Sequence, residues 1–327
     1  MKNLKFPFVM LVELGILAAF IAFLVYLFPT LDPKGYIYYG DAPHVAYLQQ
    51  YVSYTAVTAI RWIFYIVTAA AILFMLVTII GELIRWRINQ GRQPHHLPEG
   101  KPGDEQVTRF NGHFKIQHYL IMIFVTLAGI IGLLQAFPDW GAGSNFLNNI
   151  WGSLADKRHF HHYFAYVVDF TVFYFLFYLA YKFFIKKEKM RAMLPGWKDI
   201  VDMIHMNLYI FGFEKEEPDY DRFTFGQKID FFIILFGIPT LSVTGLAMHY
   251  TTVSQHIIGG LGIAIAAVIH RSVALFLAWF VLSVHIYYAH LSPDLFPINT
   301  VILTGKMPKS RYKALFPLDS ERTEGDK

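Results

Sequence analysis

Residues 269–290 read IHRSVALFLAWFVLSVHIYYAH, a long apolar run that carries His270, His285 and His290. His270 and His285 are fifteen residues apart, about 22 Å along an α-helix at ~1.5 Å per residue. A hydrocarbon slab is roughly 30 Å thick, so such a helix sets one imidazole near each membrane face. At ~100° per residue the interval turns His285 about 60° from the face of His270, a mismatch that tilt or a local π-bulge absorbs. Polar side chains inside a membrane are costly and usually functional, so these histidines organise the reading of the chain.

The composition agrees with a membrane setting. Of 327 residues, 55% are hydrophobic, 17% aromatic and only 16% charged, too apolar for an ordinary soluble domain. The fold class expected is all-α, a polytopic membrane protein. There is no cysteine, which excludes cysteine-ligated iron–sulfur clusters, covalently attached c-type haem, disulfides and thiol catalysis. Fourteen histidines remain as the strong metal ligands. No nucleic-acid motif, glycine-rich nucleotide loop or soluble catalytic domain is visible.

Six stretches are long and apolar enough to cross a bilayer: 7–29, 55–84, 116–137, 162–185, 229–248 and 264–290. The first follows MKNLK and reads as a retained anchor rather than a cleaved signal peptide. Outside the spans, 23 of the 28 lysines and arginines fall in the N-terminus, residues 85–115, residues 182–228 and the tail from 292. The opposite side holds Lys34, Lys157 and Arg158. This asymmetry puts both termini in the cytoplasm of a bacterial-type inner membrane. His118 then enters the third span from the inner side, and His161 enters the fourth from the outer side. The sixth span runs inward, so His270 is outer and His285 inner. The depths pair His118 with His285 and His161 with His270, each pair from two helices, which is what two stacked bis-histidine haem b groups require. Four depth-matched histidines weigh against mere packing residues.

Small residues fit the same picture. Ala165 and Ala274 lie four residues after His161 and His270, on the same helix face, where they leave room for a flat macrocycle. Gly129, Gly132 and Gly245 thin the helix surfaces, as glycine also does in plain helix packing. His162 is an alternative ligand to His161. His113 and His159 read as interfacial, His249 as the outer end of the fifth span, and His290 as a propionate neighbour or no more than a helix-end residue. His44, His95, His96, His205 and His256 read as loop residues. Asp169, eight residues after His161, is either a proton-path acid or a neutral helix neighbour. Arg61, Arg158 and Arg271 lie near the outer haem level, as propionate partners or as snorkelling interface residues.

At these motifs the chain resembles a known family. Residues 108–315 resemble the di-haem cytochrome b subunits that anchor respiratory formate dehydrogenases, with relatives in nickel–iron hydrogenases and thiosulfate reductases. The carrying elements are GHFKIQHYL with His118, HHYFA with His161, the pair His270 and His285, GQK at Gly226–Gln227–Lys228, and VTG at Val243–Thr244–Gly245. The family's histidine pair is one residue closer. The resemblance implies a four-helix di-haem bundle over 91–291. It implies a quinone site, for menaquinone or ubiquinone, lined by Thr224, Gly226, Gln227 and His285, with Thr224 standing where the family has Asn. Two helices within residues 1–90 have no counterpart in its four-helix form, and 292–327 reads as a cytoplasmic segment ending in a mobile LDSERTEGDK. The aromatic outer loop 30–54 reads as an interfacial belt or a partner surface.

The function expected is electron transfer between an outer-side redox partner, an iron–sulfur or multihaem protein, and a quinone near the cytoplasmic side. Substrate chemistry then belongs to partner subunits of a respiratory-chain complex, and this chain is not the substrate-converting enzyme. A haem-free assembly subunit and a His/Asp proton-coupled transporter are the rival readings.

Overall fold

The computed structural model describes residues 5–27, 54–89, 103–136, 149–187, 193–291 and 299–325. The aromatic loop 30–54, His44, His95 and His96 lie outside them, apart from Tyr54, the first residue of α2. In chain order the helices are α1 (Lys5–Leu27), α2 (Tyr54–Ile88), α3 (Gly112–Ala136), α4 (Leu154–Ala180) and α5 (Trp197–Ile210). They continue with α6 (Phe225–His249), α7 (Thr251–Trp279), α8 (Val301–Thr304), α9 (Lys309–Leu315) and α10 (Pro317–Gly325). Two short strands, β1 (Gln106–Thr108) and β2 (Lys306–Pro308), pair with each other. Five helices are long and apolar enough to cross a membrane, over Ala59–Ile88, Gly112–Ala136, Ala155–Ile185, Phe225–His249 and Thr251–His290. A shorter apolar stretch, Phe8–Ala19, lies within α1. The chain is an all-α polytopic membrane protein.

The described chain forms two compact units. One comprises Met1–Val107, Arg191–Thr300 and Met307–Lys327, and the other Thr108–Met190 and Val301–Lys306. In the larger unit, Val9, Met10 and Leu17 of α1 pack with Ile72, Met75 and Ile79 of α2 and with Trp279, Phe280 and Tyr287 at the end of α7. The Tyr287 hydroxyl donates to Met10 Sδ at 3.6 Å. The last turns of α2 are tied to α5. A Cβ on Gly81 would stand 2.8 Å from the Ile210 side chain, so a larger residue there would require Ile210 to shift. Arg85 is buried, donates to the carbonyls of Glu214 and Lys215 at 3.2 and 3.0 Å, and lies 4.0 Å from the Tyr209 ring centroid.

In the smaller unit, α3 and α4 form a hairpin. Asn111 Oδ1 accepts from the Phe114 N–H at 2.9 Å and starts α3. Ser153 and Asp156 form a capping box that starts α4. Helix α8 is held to α3 by Lys115 Nζ, which donates to Thr304 O at 3.2 Å, and by Tyr119, which donates to Ile302 O at 3.2 Å.

Three sequence expectations are corrected. Residues 182–228, treated as a basic inner loop, contain α5, so His205 is a helical residue and not a loop residue. His256 is likewise helical, because α7 starts at Thr251 and bends at Gly259, whose φ of 67° and ψ of 177° suit glycine alone. The terminal LDSERTEGDK is helical through Gly325, with Asp319 accepting from the buried Tyr312 hydroxyl. The expected distortion between His270 and His285 is present. The α-helix gives way to π-helical turns at Phe280–His285 and Tyr287–Leu291, and π-turns concentrate at functional sites.

Candidate functional site

The two histidines assigned to the outer level share one local design. In the smaller unit, His161 Nδ1 lies 3.0 Å from the Ala128 carbonyl oxygen of α3. In the larger unit, His270 Nδ1 lies 3.1 Å from the Leu241 carbonyl oxygen of α6 and 3.0 Å from Thr244 Oγ. A carbonyl oxygen only accepts, so both imidazoles carry their proton on Nδ1 and their lone pair on Nε2. One turn beyond each carbonyl stands a glycine that faces the ring. A Cβ on Gly132 would lie 3.3 Å from His161 Cε1, and one on Gly245 would lie 3.3 Å from His270 Cε1. The glycines therefore admit the imidazoles against the neighbouring backbone. Among the described residues, Gly129 plays no such part, since nothing lies within 4 Å of its Cβ position. The ring that meets α3 is that of His161. His162 stands edge-on to it at 6.1 Å between centroids.

The His285 level is built differently. His285 Nδ1 donates to Asp230 Oδ2 at 2.6 Å, which again puts the lone pair on Nε2. Asp230 sits on α6 three residues after Gln227, so the GQK turn and the Asp230–His285 pair are one helical turn apart. The 230–285 and 241–270 contacts set α6 and α7 antiparallel and fix their register. Thr224 and Gln227 form a capping box. Thr224 Oγ1 accepts from the Gln227 N–H at 3.2 Å, and Gln227 Oε1 accepts from the Thr224 N–H at 3.3 Å. Gly226 lies inside this first turn of α6. Lys228 pairs with Asp199 of α5 at 2.8 Å. His290 stands edge-on to His285 at 5.4 Å.

His118, half-buried in α3, stacks on Phe114 one turn earlier at 6.4 Å between centroids. His113 is engaged on α4, 2.5 Å from the Tyr174 hydroxyl and stacked on Tyr178 at 4.9 Å. His249 closes α6 beside Tyr250, and His256 bonds the Thr252 carbonyl of its own helix. Ala165, Ala274 and Arg271 are half-buried, Arg61 is half-buried on α2, Arg158 is exposed, and Asp169 is buried in α4.

The donor set suits haem iron. His161, His270 and His285 each have Nδ1 bonded and Nε2 set to bind a metal, the arrangement that orients ligating histidines. At the first two, a glycine on the neighbouring helix lets the ring pack close to that helix. Asp230 is the residue of this candidate site that the sequence reading missed. Its signal was an acid within an apolar span, which needs a partner.

A family model for prokaryotic cytochrome b561 matches residues 109–294, more than half of the chain. Among curated proteins, none matches. The matched region holds all four candidate ligands, both hairpins and the π-helical turns. The chain therefore belongs to the prokaryotic cytochrome b561 family, as a multi-pass membrane haem b protein of electron transfer.

Proposed function

We propose that the protein is the membrane-anchoring di-haem b subunit of a respiratory oxidoreductase complex. It carries electrons between an outer-side redox partner, an iron–sulfur or multihaem protein, and a quinone near the cytoplasmic face. The observation that carries this reading is the repeated Nδ1 anchoring of His161, His270 and His285, with glycine beneath the first two. A haem b held by two histidines supplies a one-electron centre with no open coordination position. His118 and His285 hold the inner group, His161 and His270 the outer, by the depths their spans assign. Ala128 and Leu241 fix the outer imidazoles through their carbonyls. Asp230 fixes the inner one and raises its basicity.

The quinone site proposed is the first turn of α6 with His285. Thr224 and Gln227 hold that turn in shape, Gly226 keeps it slim, and the Gln227 amide group hydrogen-bonds a quinone carbonyl. Menaquinone and ubiquinone both present that carbonyl chemistry. The location follows the charge asymmetry: an inner-membrane protein with both termini cytoplasmic. The two N-terminal helices, 1–90, are additions to the 91–291 di-haem bundle, followed by the cytoplasmic segment 292–327.

The test is spectroscopic. Purified protein reduced with dithionite should show the sharp α-band of reduced b haem, with two haems per chain. Separate His118→Ala and His270→Ala variants each lose one haem, and different ones by redox titration. A protein without the band returns the chain to the assembly or transporter readings. Variants that lose the same haem overturn the pairing.

A further inference from the structure

Helix α5 is amphipathic with its faces reversed. Trp197, Ile200, Val201, Ile204 and Leu208 fall within an arc of about 100° on the helical wheel, and all five are exposed, Trp197 at 77% and Ile204 at 52%. The opposite face is buried and holds Asp199, Asp202, Tyr209 and Ile210. Asp199 is satisfied there by the Gly196 N–H at 2.7 Å and by Lys228 at 2.8 Å. Asp202 is satisfied by Lys198 at 2.6 Å. In water this arrangement would expose an apolar stripe while burying two acids, which wastes the main driving force for docking a surface helix.

The attachments of α5 fix its attitude. Its N-terminal turn is bonded through Asp199 to Lys228, in the first turn of span α6. Its C-terminal residue, Ile210, packs at Gly81, near the end of span α2, where Arg85 also holds the chain that follows α5. These attachment points are eleven residues apart, about 16 Å along the helix. A helix pinned to the ends of two spans at one membrane face lies across those ends, in the plane of the bilayer surface. Ile84 and Ile88 of α2 and Ile229 of α6, close in sequence to those points on the two spans, are exposed and apolar as well.

We propose that α5 is an in-plane membrane anchor, with Trp197, Ile200, Val201, Ile204 and Leu208 inserted at the boundary between headgroups and acyl chains. The occupant of the stripe is the lipid leaflet around α2 and α6. An interfacial helix with a strong apolar face behaves this way, and Trp is a preferred residue at that depth. Through the Asp199–Lys228 pair, the anchor also holds the first turn of α6 at that surface. The inference needs only the membrane spans and does not depend on the di-haem or quinone readings.

The natural chain has no cysteine, so single-cysteine variants of the full-length protein take a nitroxide label at one place only. Labels at Ile200→Cys, Ile204→Cys and Leu208→Cys are compared with Glu216→Cys in phosphatidylcholine–phosphatidylglycerol vesicles. Collision rates with oxygen, which partitions into lipid, and with a water-soluble nickel chelate are read by spin resonance. The expected result is an oxygen-to-nickel ratio several-fold higher at the three stripe positions than at 216. Equal ratios mean the stripe faces water and overturn the proposal. Stripe labels that are immobile and reached by neither reagent mean a protein covers it, a partner or a second copy, and equally overturn the lipid assignment.

Discussion

Leucine at Gly132 and leucine at Gly245 are expected to remove the same haem, although the two glycines belong to different helix hairpins. An alanine Cβ at either site meets a histidine Cε1 at 3.3 Å, which shifts of a few tenths of an ångström relieve. Alanine also recovers about 1 kcal/mol of helix propensity, so both alanine variants should be close to neutral. Leucine is different, because a long helical side chain leans over the turn N-terminal to its own Cα. That turn carries Ala128 in one hairpin and Leu241 in the other, the carbonyls that hold the imidazoles. Overpacking costs about 1–3 kcal/mol and the lost imidazole bond about 1 kcal/mol. The total of about 2–4 kcal/mol weakens haem retention roughly thirty- to several-hundred-fold, at 1.4 kcal/mol per factor of ten. The assay is haem per chain together with a redox titration of the α-band. Gly132→Leu and Gly245→Leu should each retain one haem with the same midpoint potential, and the alanine variants should retain two. Leucine variants that lose different haems, or none, refute the pairing of His161 with His270.

Three further outcomes follow from the same geometry. Asp230→Leu removes the acceptor of the His285 N–H and should lower retention of the inner haem by about 10–100-fold, while Asp230→Asn keeps an acceptor and should retain that haem with an altered potential. Arg85→Met leaves the Glu214 and Lys215 carbonyls without their charged donor and should cost about 2–4 kcal/mol, read as a lower melting temperature in detergent, with haem spectra unchanged. Burial, then the nearby Glu217 and Asp202 carboxylates, push the Tyr220 hydroxyl well above its ordinary value. The folded state therefore holds that proton more tightly than the unfolded chain. Its contribution is complete below about pH 10 and is lost as pH rises beyond that, so Tyr220→Phe should flatten the alkaline fall in stability measured by denaturant titration.

The spans were legible because their signal is local, and an equally local contrast singled out the four histidines. Apolar length reveals a span, and a histidine within one stands out against its neighbours. The π-helical turns before and after His285 were also foreshadowed, since fifteen residues do not return a helix to the same face. Asp230 was harder to see, because its meaning depends on α7 folding back beside α6 and bringing His285 to it. Helix α5 was hidden by charge. Residues 182–228 were weighed as a store of lysine and arginine, although Trp197, Ile200, Val201, Ile204 and Leu208 recur at helical spacing. The capping box at Thr224 and Gln227 shows a similar double use, since residues singled out for quinone also begin a helix. Those roles separate only when the hydrogen bonds of the turn are seen.

The glycine that follows each of the Ala128 and Leu241 carbonyls makes the two hairpins locally alike. In α3 the carbonyl of Ala128 and Gly132 are four residues apart, and in α6 the carbonyl of Leu241 and Gly245 are four apart. In each hairpin the first helix presents this pair and the second brings the histidine. The hairpins share this carbonyl and glycine, and the second adds Thr244 Oγ at 3.0 Å from its histidine. The likeness ends at the other level, where the first hairpin carries His118 on its first helix and the second carries Asp230 there, with the histidine moved to its second helix. The two hairpins therefore differ at His118, Asp230 and His285, so the two levels are chemically distinct.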